Sequence, residues 1–211
     1  KISKKLSKDE LQSFDYKIYS MSLPFLFYKS KLVREQLKID VSTLPRSFND
    51  YPRKVKKLLS QKKLRVGIAW SGRSSQTRNS FRSFDIEVLN KVISNDKINF
   101  FSLQKLPPEF DKSLFFKNKN FYNCEKYLND FEDTSVWISK MDIIISVCTS
   151  LAHLSGLIGK KTLLLLSYVH DPRWDRKFNG CLYPSLKIIK QQKLNDWEYC
   201  LNEIQNNLHK V

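Results

Sequence analysis

The fold is decided by the stretch DIIISVCTSLAHLSGLIGKKTLLLLS, residues 142–167, in which an apolar helix joins two apolar strands. Asp142–Val147 and Thr162–Ser167 are continuous apolar runs of strand length, as expected for strands that are buried on both faces. Thr149–Ile158 has the composition of an apolar helix, and Gly159 follows as a residue that commonly ends one. This order predicts two parallel strands connected by a helix.

Segments on both sides of this stretch continue the alternation of strands and helices. The other predicted strands are Leu64–Trp70, Ile98–Leu103, Phe121–Cys124 and Leu186–Ile189. The other predicted helices are Tyr51–Ser60 capped by Asn49 or Asp50, one capped by Asp85 that runs through Ser94, one capped by Asp133 that runs to about Met141, and Asp196–His209 capped by Asn195. The alternation predicts an α/β fold with a Rossmann-like, doubly wound parallel sheet.

The composition fits one sizeable hydrophobic core. Apolar residues are 41% of the 211 residues and charged residues are 27%, a balance that is not typical of a disordered chain. No apolar run reaches the roughly 18–20 residues of a membrane-spanning helix, so we expect no membrane span.

The chain is strongly basic, with a formal net charge of +16. Residues 1–66 hold 17 basic and 6 acidic side chains, against 20 and 15 in residues 67–211. Such a field attracts polyanions, including nucleic acids. The lysines are scattered or paired, without an aromatic RNA-binding motif or a zinc-finger spacing, so nucleic-acid binding is not expected as the main function.

Four cysteines lie far apart in the sequence and form no Cys-x-x-Cys pair. They are Cys124, Cys148, Cys181 and Cys200. A zinc ribbon is therefore not expected, and we predict no metal site. Two disulfides are one interpretation, but free thiols are favoured because a chain with so large a core needs no crosslinks. Free thiols indicate a reducing compartment and predict a cytoplasmic location.

The loops that follow the strands carry the candidate binding residues. In doubly wound sheets, ligands bind at the carboxyl ends of the strands, which selects the loops after Trp70, Leu103, Val147 and Ser167. A helix start with hydroxyls and backbone N–H groups, next to cationic side chains, predicts a site for a diphosphate. The candidate residues are Ser71, Gly72, Arg78, Arg82, Gln104, Lys105, Thr149, Ser150 and His153.

Several of these residues also have a purely structural interpretation. Thr149 and Ser150 fit ordinary N-caps, the loop arginines Arg78 and Arg82 fit solvated charges, and His153 fits a core histidine. The binding interpretation is favoured because the residues come from separate loops that meet at one edge of the predicted sheet. The chain has no Gly-x-Gly-x-x-Gly and no Walker motif.

A series of short motifs in a fixed order resembles a known family. The series resembles the C-terminal domain of glycosyltransferase-like proteins that are often fused to TPR repeats and are related to the heptosyltransferases of glycosyltransferase family 9. It covers about residues 62–205. The motifs are LRVGIAWSG at 64–72, RS at 82–83, FSLQK at 101–105, DFEDT at 130–134, ISVCTSLAHLSG at 145–156, RW at 173–174, YPS at 183–185 and DW at 196–197.

The resemblance implies one half of a GT-B fold, in which two Rossmann-like domains enclose the active site. Residues 48–211 are then the nucleotide-sugar-binding domain, and residues 1–47 are the tail end of a truncated N-terminal domain and a linker. The implied reaction transfers a glycosyl group from a nucleotide-diphosphate sugar to a hydroxyl of a glycan or other acceptor, without a metal or a separate cofactor. The catalytic base is expected in the missing domain, so no catalytic residue is predicted here, and the isolated fragment is expected to be inactive.

The resemblance also implies roles for the candidate residues. Ser71 and Gly72 lie near the donor phosphates or sugar, and Gln104 borders the nucleoside. The remaining roles are neutralisation of the diphosphate by Arg82 and Lys105, a phosphate cradle at Thr149 and Ser150, and orientation of phosphate or sugar by His153.

Cys148 departs from the family pattern, which commonly has Asp at this position as part of the donor sugar site. A thiol is a weaker hydrogen-bond acceptor than a carboxylate. Three interpretations stay open: a different donor sugar, a weakened site, or a residue that does not touch the donor here. Two other functions also stay open, namely a non-catalytic scaffold derived from a transferase and a basic module that binds polyanions.

Overall fold

A computed structural model describes residues 40–43, 51–73, 75–105, 117–174 and 183–209. Six strands form one parallel sheet in the order β3-β2-β1-β4-β5-β6. They are β1 Leu64–Ala69, β2 Ile98–Ser102, β3 Phe121–Asn123, β4 Ile143–Val147, β5 Thr162–Leu166 and β6 Leu186–Lys190. This strand order, which reverses direction between β1 and β4, confirms the predicted Rossmann-like, doubly wound fold.

Helices cover both faces of the sheet. They are α1 Arg53–Leu59, α2 Asn79–Arg82, α3 Ile86–Ile93, α4 Phe131–Lys140, α5 Ser150–Leu157 and α6 Glu198–Leu208, with 3-10 turns at Val41–Thr43, Glu125–Tyr127 and Pro172–Trp174. Apolar side chains of α3 and α6 pack on one face, and those of α1, α4 and α5 pack on the other. No helix in the described part of the chain is long and apolar enough to cross a membrane.

Burial of the sheet on both faces explains the continuous apolar runs of the central strands. All residues of β2, β4 and β5 are buried. Leu89 and Ile93 of α3 pack with Ile204 of α6 on one side, and Trp137 of α4 packs against Phe101 of β2 on the other. A strand that contacts helices on both faces cannot alternate polar and apolar residues without burying polar groups.

Two predicted helix boundaries are confirmed by their local geometry. The side chain of Asp85 accepts a hydrogen bond from the backbone N–H of Val88 at 2.9 Å, so it caps α3 as predicted. Gly159 follows α5 with φ +76°, a backbone conformation that glycine adopts at little cost.

The prediction that Asp133 caps the fourth helix is wrong. The helix begins earlier, at Phe131, because Asp130 accepts a hydrogen bond from the N–H of Asp133 at 2.8 Å. Asp133 is instead buried in the first turn, where its carboxylate accepts hydrogen bonds from Tyr51 Oη and from Asn129.

The prediction that Asn195 caps the last helix is also wrong. Asn195 has φ +59°, which places it in the turn before the helix. The helix begins at Glu198, and the carboxylate of Asp196 accepts a hydrogen bond from the N–H of Glu198 at 2.9 Å. Trp197, Leu201, Ile204 and Leu208, at and after the start of this helix, are nevertheless buried in one hydrophobic cluster.

The described cysteines are free thiols. Cys124 and Cys200 are buried, and Cys148 is half-buried. Burial raises the pKa of Cys124, and burial together with the charges of Asp196 and Glu203 raises the pKa of Cys200 to about 12. Both side chains are therefore protonated packing groups rather than nucleophiles. Cys181, the predicted helix caps Asn49 and Asp50, and most of residues 1–47 lie outside the described residues.

An ion pair links the amino ends of the two central strands. Arg65 Nε and Nη2 donate to the two carboxylate oxygens of Asp142 at 3.0 and 2.6 Å, and the backbone N–H of Arg65 donates to the same carboxylate at 2.8 Å. Burial alone would raise the pKa of Asp142, but the hydrogen bonds and charge of Arg65 lower it by more. The ionised carboxylate thus stabilises the contact between β1 and β4.

We expect Asp142→Asn to lower the free energy of unfolding by roughly 1 kcal/mol at neutral pH, because both side chains are about one-third exposed. The folded pKa lies below the ordinary value of 3.8, so the contribution is complete above that pH and is lost as the pH falls through the folded pKa. Urea unfolding between pH 7 and pH 3 should therefore show that the free energies of unfolding of the parent and the variant converge in acid.

The same experiment in an Arg65→Gln background is the control. There burial still raises the pKa of Asp142, and only the backbone N–H of residue 65 and the charge of Lys160 still lower it, so the convergence in acid should be clearly smaller. A gap between parent and Asp142→Asn that stays constant down to pH 3 would contradict the assignment.

Candidate functional site

A cleft of about 780 Å³ opens at the carboxyl edge of the sheet, a size within the range of about 300–1,000 Å³ that is usual for ligand sites. Its walls are the loops after β1 and β2, the connection from β3 into α4, and the start of α5. The lining residues are Ala69, Ser71, Gly72, Arg73, Asn79, Leu103, Gln104, Lys105, Leu128, Asn129, Asp130, Phe131, Thr134, Thr149, Ser150 and Leu151.

The cleft brings together most of the candidate residues from the sequence. The residues that meet there are Ser71, Gly72, Gln104, Lys105, Thr149 and Ser150. Arg78, Arg82 and His153 do not line it. Arg78 is exposed beside the start of α2, and the other two contact protein groups near the cleft.

Gln104 holds the loop after β1 to the loop after β2. Its side-chain carbonyl accepts hydrogen bonds from the backbone N–H groups of Trp70 at 3.0 Å and Ser71 at 2.9 Å. Gln104 is only 7% exposed, so these bonds are formed away from water. The side chain therefore fixes one wall of the cleft.

Arg82 holds the same loop from the opposite side. Its Nη1 donates to the backbone carbonyl of Cys148 at 2.9 Å, and its Nε donates to Asn79 Oδ1 at 3.2 Å. Asn79 Oδ1 also accepts from the N–H of Gly72 at 2.9 Å, and Asn79 Nδ2 donates to Ser71 Oγ at 3.1 Å. Arg82 thereby connects the loop after β1 with the loop after β4.

Gly72 allows the close approach of Arg82 to the loop after β1. A Cβ atom at this position would collide with the guanidinium of Arg82 and would lie 2.6 Å from Asn79 Oδ1. Glycine allows the backbone and the guanidinium to pack directly against each other.

The starts of α4 and α5 both line the cleft, but the carboxylate of Asp130 offsets the positive end of α4, so the start of α5 contributes the positive character. Helix N-termini carry a partial positive charge. Asp130 caps α4, whereas no described side chain caps α5, because Thr149 Oγ1 lies 3.1 Å from Ser146 Oγ instead. Lys105, whose Nζ donates to the carbonyl of Glu125 at 3.2 Å, adds a full charge.

His153 belongs to a separate aromatic cluster formed with Trp174 and Tyr183. Its ring stacks on Trp174 with centroids 4.8 Å apart, and its Nδ1 lies 3.2 Å from Tyr183 Oη. The indole N–H of Trp174 donates to Cys148 Sγ at 3.2 Å. Trp174 and Tyr183 pack in the hydrophobic group that includes Leu164 and Leu166 of β5, and none of the three aromatic residues lines the cleft.

Comparison with solved structures identifies proteins of the same architecture. E. coli heptosyltransferase WaaC with ADP is 13% identical, with a TM-score of 0.54 over 70% of this chain and 44% of that one. E. coli ADP-heptose lps heptosyltransferase II is 11% identical, with a TM-score of 0.50 over 76% of this chain and 53% of that one. The chain shares its fold with heptosyltransferases.

The chain spans about half the length of these heptosyltransferase structures. The sequence matches no protein-family model and no curated protein.

Sequence reasoning missed the wall of the cleft that comes from the β3–α4 connection. The missed residues there are Leu128, Asn129, Asp130, Phe131 and Thr134. The signal was available, since the rule that ligands bind at strand carboxyl ends applies equally to β3, a strand of only three residues. Phe131 is the most exposed of the large apolar side chains described, at 63%. Arg73 and Asn79 were missed as well.

Within the described residues, no group of three or more His, Cys, Asp or Glu side chains is arranged to hold a metal ion. The positive groups described in the cleft are Arg73, Lys105 and the start of α5.

We expect Gln104→Leu to destabilise the protein by about 1–3 kcal/mol, because the backbone N–H groups of Trp70 and Ser71 would lose their buried acceptor. Urea unfolding measures the change. Gln104→Glu keeps an acceptor oxygen of similar reach and should lose clearly less. Equal stability of Gln104→Leu and the parent would show that Gln104 does not hold the loop.

Proposed function

We propose that the chain binds a nucleotide-diphosphate sugar and forms the donor half of a glycosyltransferase. The observation that carries the proposal is the cleft, where the uncapped start of α5, Arg73 and Lys105 meet at the carboxyl edge of a doubly wound sheet. The similar solved structures support it, since one is a heptosyltransferase with ADP and the other is named for ADP-heptose.

The distribution of polar and apolar groups in the cleft determines the orientation of the bound ligand. The diphosphate lies between the uncapped start of α5, the loop after β1 and the cations of Lys105 and Arg73. The nucleoside lies toward Leu103, Leu128 and Phe131, where apolar side chains line the cleft.

The proposed reaction is a single displacement. The acceptor hydroxyl oxygen forms a bond to the anomeric carbon of the donor sugar, and the bond from that carbon to the diphosphate oxygen breaks. The acceptor proton passes to a base that lies outside the described residues, and the nucleoside diphosphate leaves. Lys105, Arg73 and the start of α5 stabilise the negative charge that develops on the leaving group.

We further propose that residues 48–211 bind the donor and that an N-terminal domain, to which residues 1–47 belong, supplies the acceptor site. No separate cofactor is required, because the donor carries its own leaving group. The free thiols of Cys124, Cys148 and Cys200 support a cytoplasmic location, where cysteines stay reduced.

We expect ADP, UDP or GDP to bind this chain with a heat of binding measurable by isothermal titration calorimetry. Lys105→Ala should weaken binding of the preferred nucleotide about three- to tenfold, because it removes a cation that lines the cleft. Lys91→Ala is the matched control, since Lys91 is an exposed cation in the last turn of α3, away from the cleft.

The proposal fails if none of the three nucleotides binds at millimolar concentration, or if Lys91→Ala weakens binding as much as Lys105→Ala. Transfer is tested with the complete protein encoded by the gene, by measuring release of the nucleoside diphosphate in the presence of an acceptor. Nucleotide binding without release would favour a non-catalytic scaffold.

A further inference from the structure

We propose that Arg82 is a positioning residue that holds the loops after β1 and β4 at a fixed separation, rather than a cation that binds the donor diphosphate. The effect on ligand affinity rests on the proposed function. The effect on the two loops does not.

The first argument is that the guanidinium is already engaged by the protein. Nη1 donates to the carbonyl of Cys148, at the carboxyl end of β4, and Nε donates to Asn79 Oδ1. Arg82 is half-buried and does not line the cleft, whereas Lys105 and Arg73 do. Two N–H groups of the planar fork are thereby directed at protein acceptors on two different elements.

The second argument is that both bonds of Arg82 lead to the walls of the cleft. Asn79 Oδ1 accepts hydrogen bonds from Arg82 and from the N–H of Gly72. The position of the guanidinium therefore affects the position of the loop after β1. Cys148 directly precedes Thr149, the residue before α5. A displacement of Arg82 therefore moves the glycine turn and the start of α5 relative to each other.

The third argument is that the contacts of Arg82 depend on the planar geometry of the guanidinium as well as on its charge. Nε and Nη1 reach acceptors on two different elements, which are 3 and 66 residues away along the chain. The backbone of Gly72 packs against the guanidinium at a distance that leaves no room for a Cβ atom. A lysine ammonium keeps the charge but cannot reproduce the planar fork.

The test compares Arg82→Lys and Arg82→Ala with the parent in two measurements. The first is the dissociation constant of the nucleoside diphosphate that binds the parent best. The second is hydrogen exchange of the Gly72 amide, whose acceptor Asn79 is held by Arg82. Lys105→Ala serves as the cleft-cation control, and Arg53→Lys, on the exposed start of α1, serves as the matched arginine control.

A positioning role predicts that Arg82→Lys is nearly as harmful as Arg82→Ala. Both variants should raise the dissociation constant of the nucleoside diphosphate about tenfold. Both should also speed hydrogen exchange of the Gly72 amide about tenfold, since the loop after β1 loses its attachment to Arg82 in each. Lys105→Ala should weaken binding without changing that exchange, and Arg53→Lys should change neither.

The proposal is overturned if Arg82→Lys keeps the affinity of the parent while Arg82→Ala loses it, because charge alone would then explain the role. If the parent binds no nucleoside diphosphate, the proposed function fails. The positioning role of Arg82 is then tested by hydrogen exchange of the Gly72 amide alone. Faster exchange of Gly72 in Arg82→Lys then supports the positioning role, and unchanged exchange overturns it.

Discussion

The site depends on the contact between β1 and β4, the neighbouring strands at which the order of the sheet reverses. The chain leaves β1 toward α3 on one face and leaves β4 toward α5 on the other. Two adjacent loops that leave in opposite directions open a crevice between them. Arg65 and Asp142 join the amino ends of the two strands, and Arg82 joins the loops at their carboxyl ends. Because the strands are held at both ends, the crevice has a defined width.

The sheet was predictable because its signals are local. Continuous apolar runs mark the buried strands, and a glycine with φ +76° ends α5. The two cap assignments failed because several polar residues compete at each boundary, and tertiary contacts decide among them. Asp133 does not cap the helix because its carboxylate accepts a hydrogen bond from Tyr51, which lies 82 residues earlier in the sequence. The spacing of residues near a helix cannot reveal a partner at that distance.

The site was predictable only as a set of loops. The carboxyl-end rule places Gln104, Lys105 and Thr149 at one edge of the sheet, whatever their side chains contact. It cannot distinguish a cation that faces the cleft from one that bonds to the backbone, as the guanidinium of Arg82 does. The position of His153 was likewise decided by long-range contacts, since Trp174 and Tyr183 are 21 and 30 residues further along the chain.

Cys148 separates two environments of different chemistry. Its carbonyl accepts from Arg82, and its sulfur accepts from the indole of Trp174. Both acceptors of the residue are therefore used within the protein. On the Trp174 side, apolar and aromatic groups pack against β5. On the other side, hydroxyls, backbone N–H groups and Lys105 surround open space. Within the described residues, the cationic side chains that line the cleft are Arg73 and Lys105, so an anionic ligand would find its counter-charges on the side of β1 and β2.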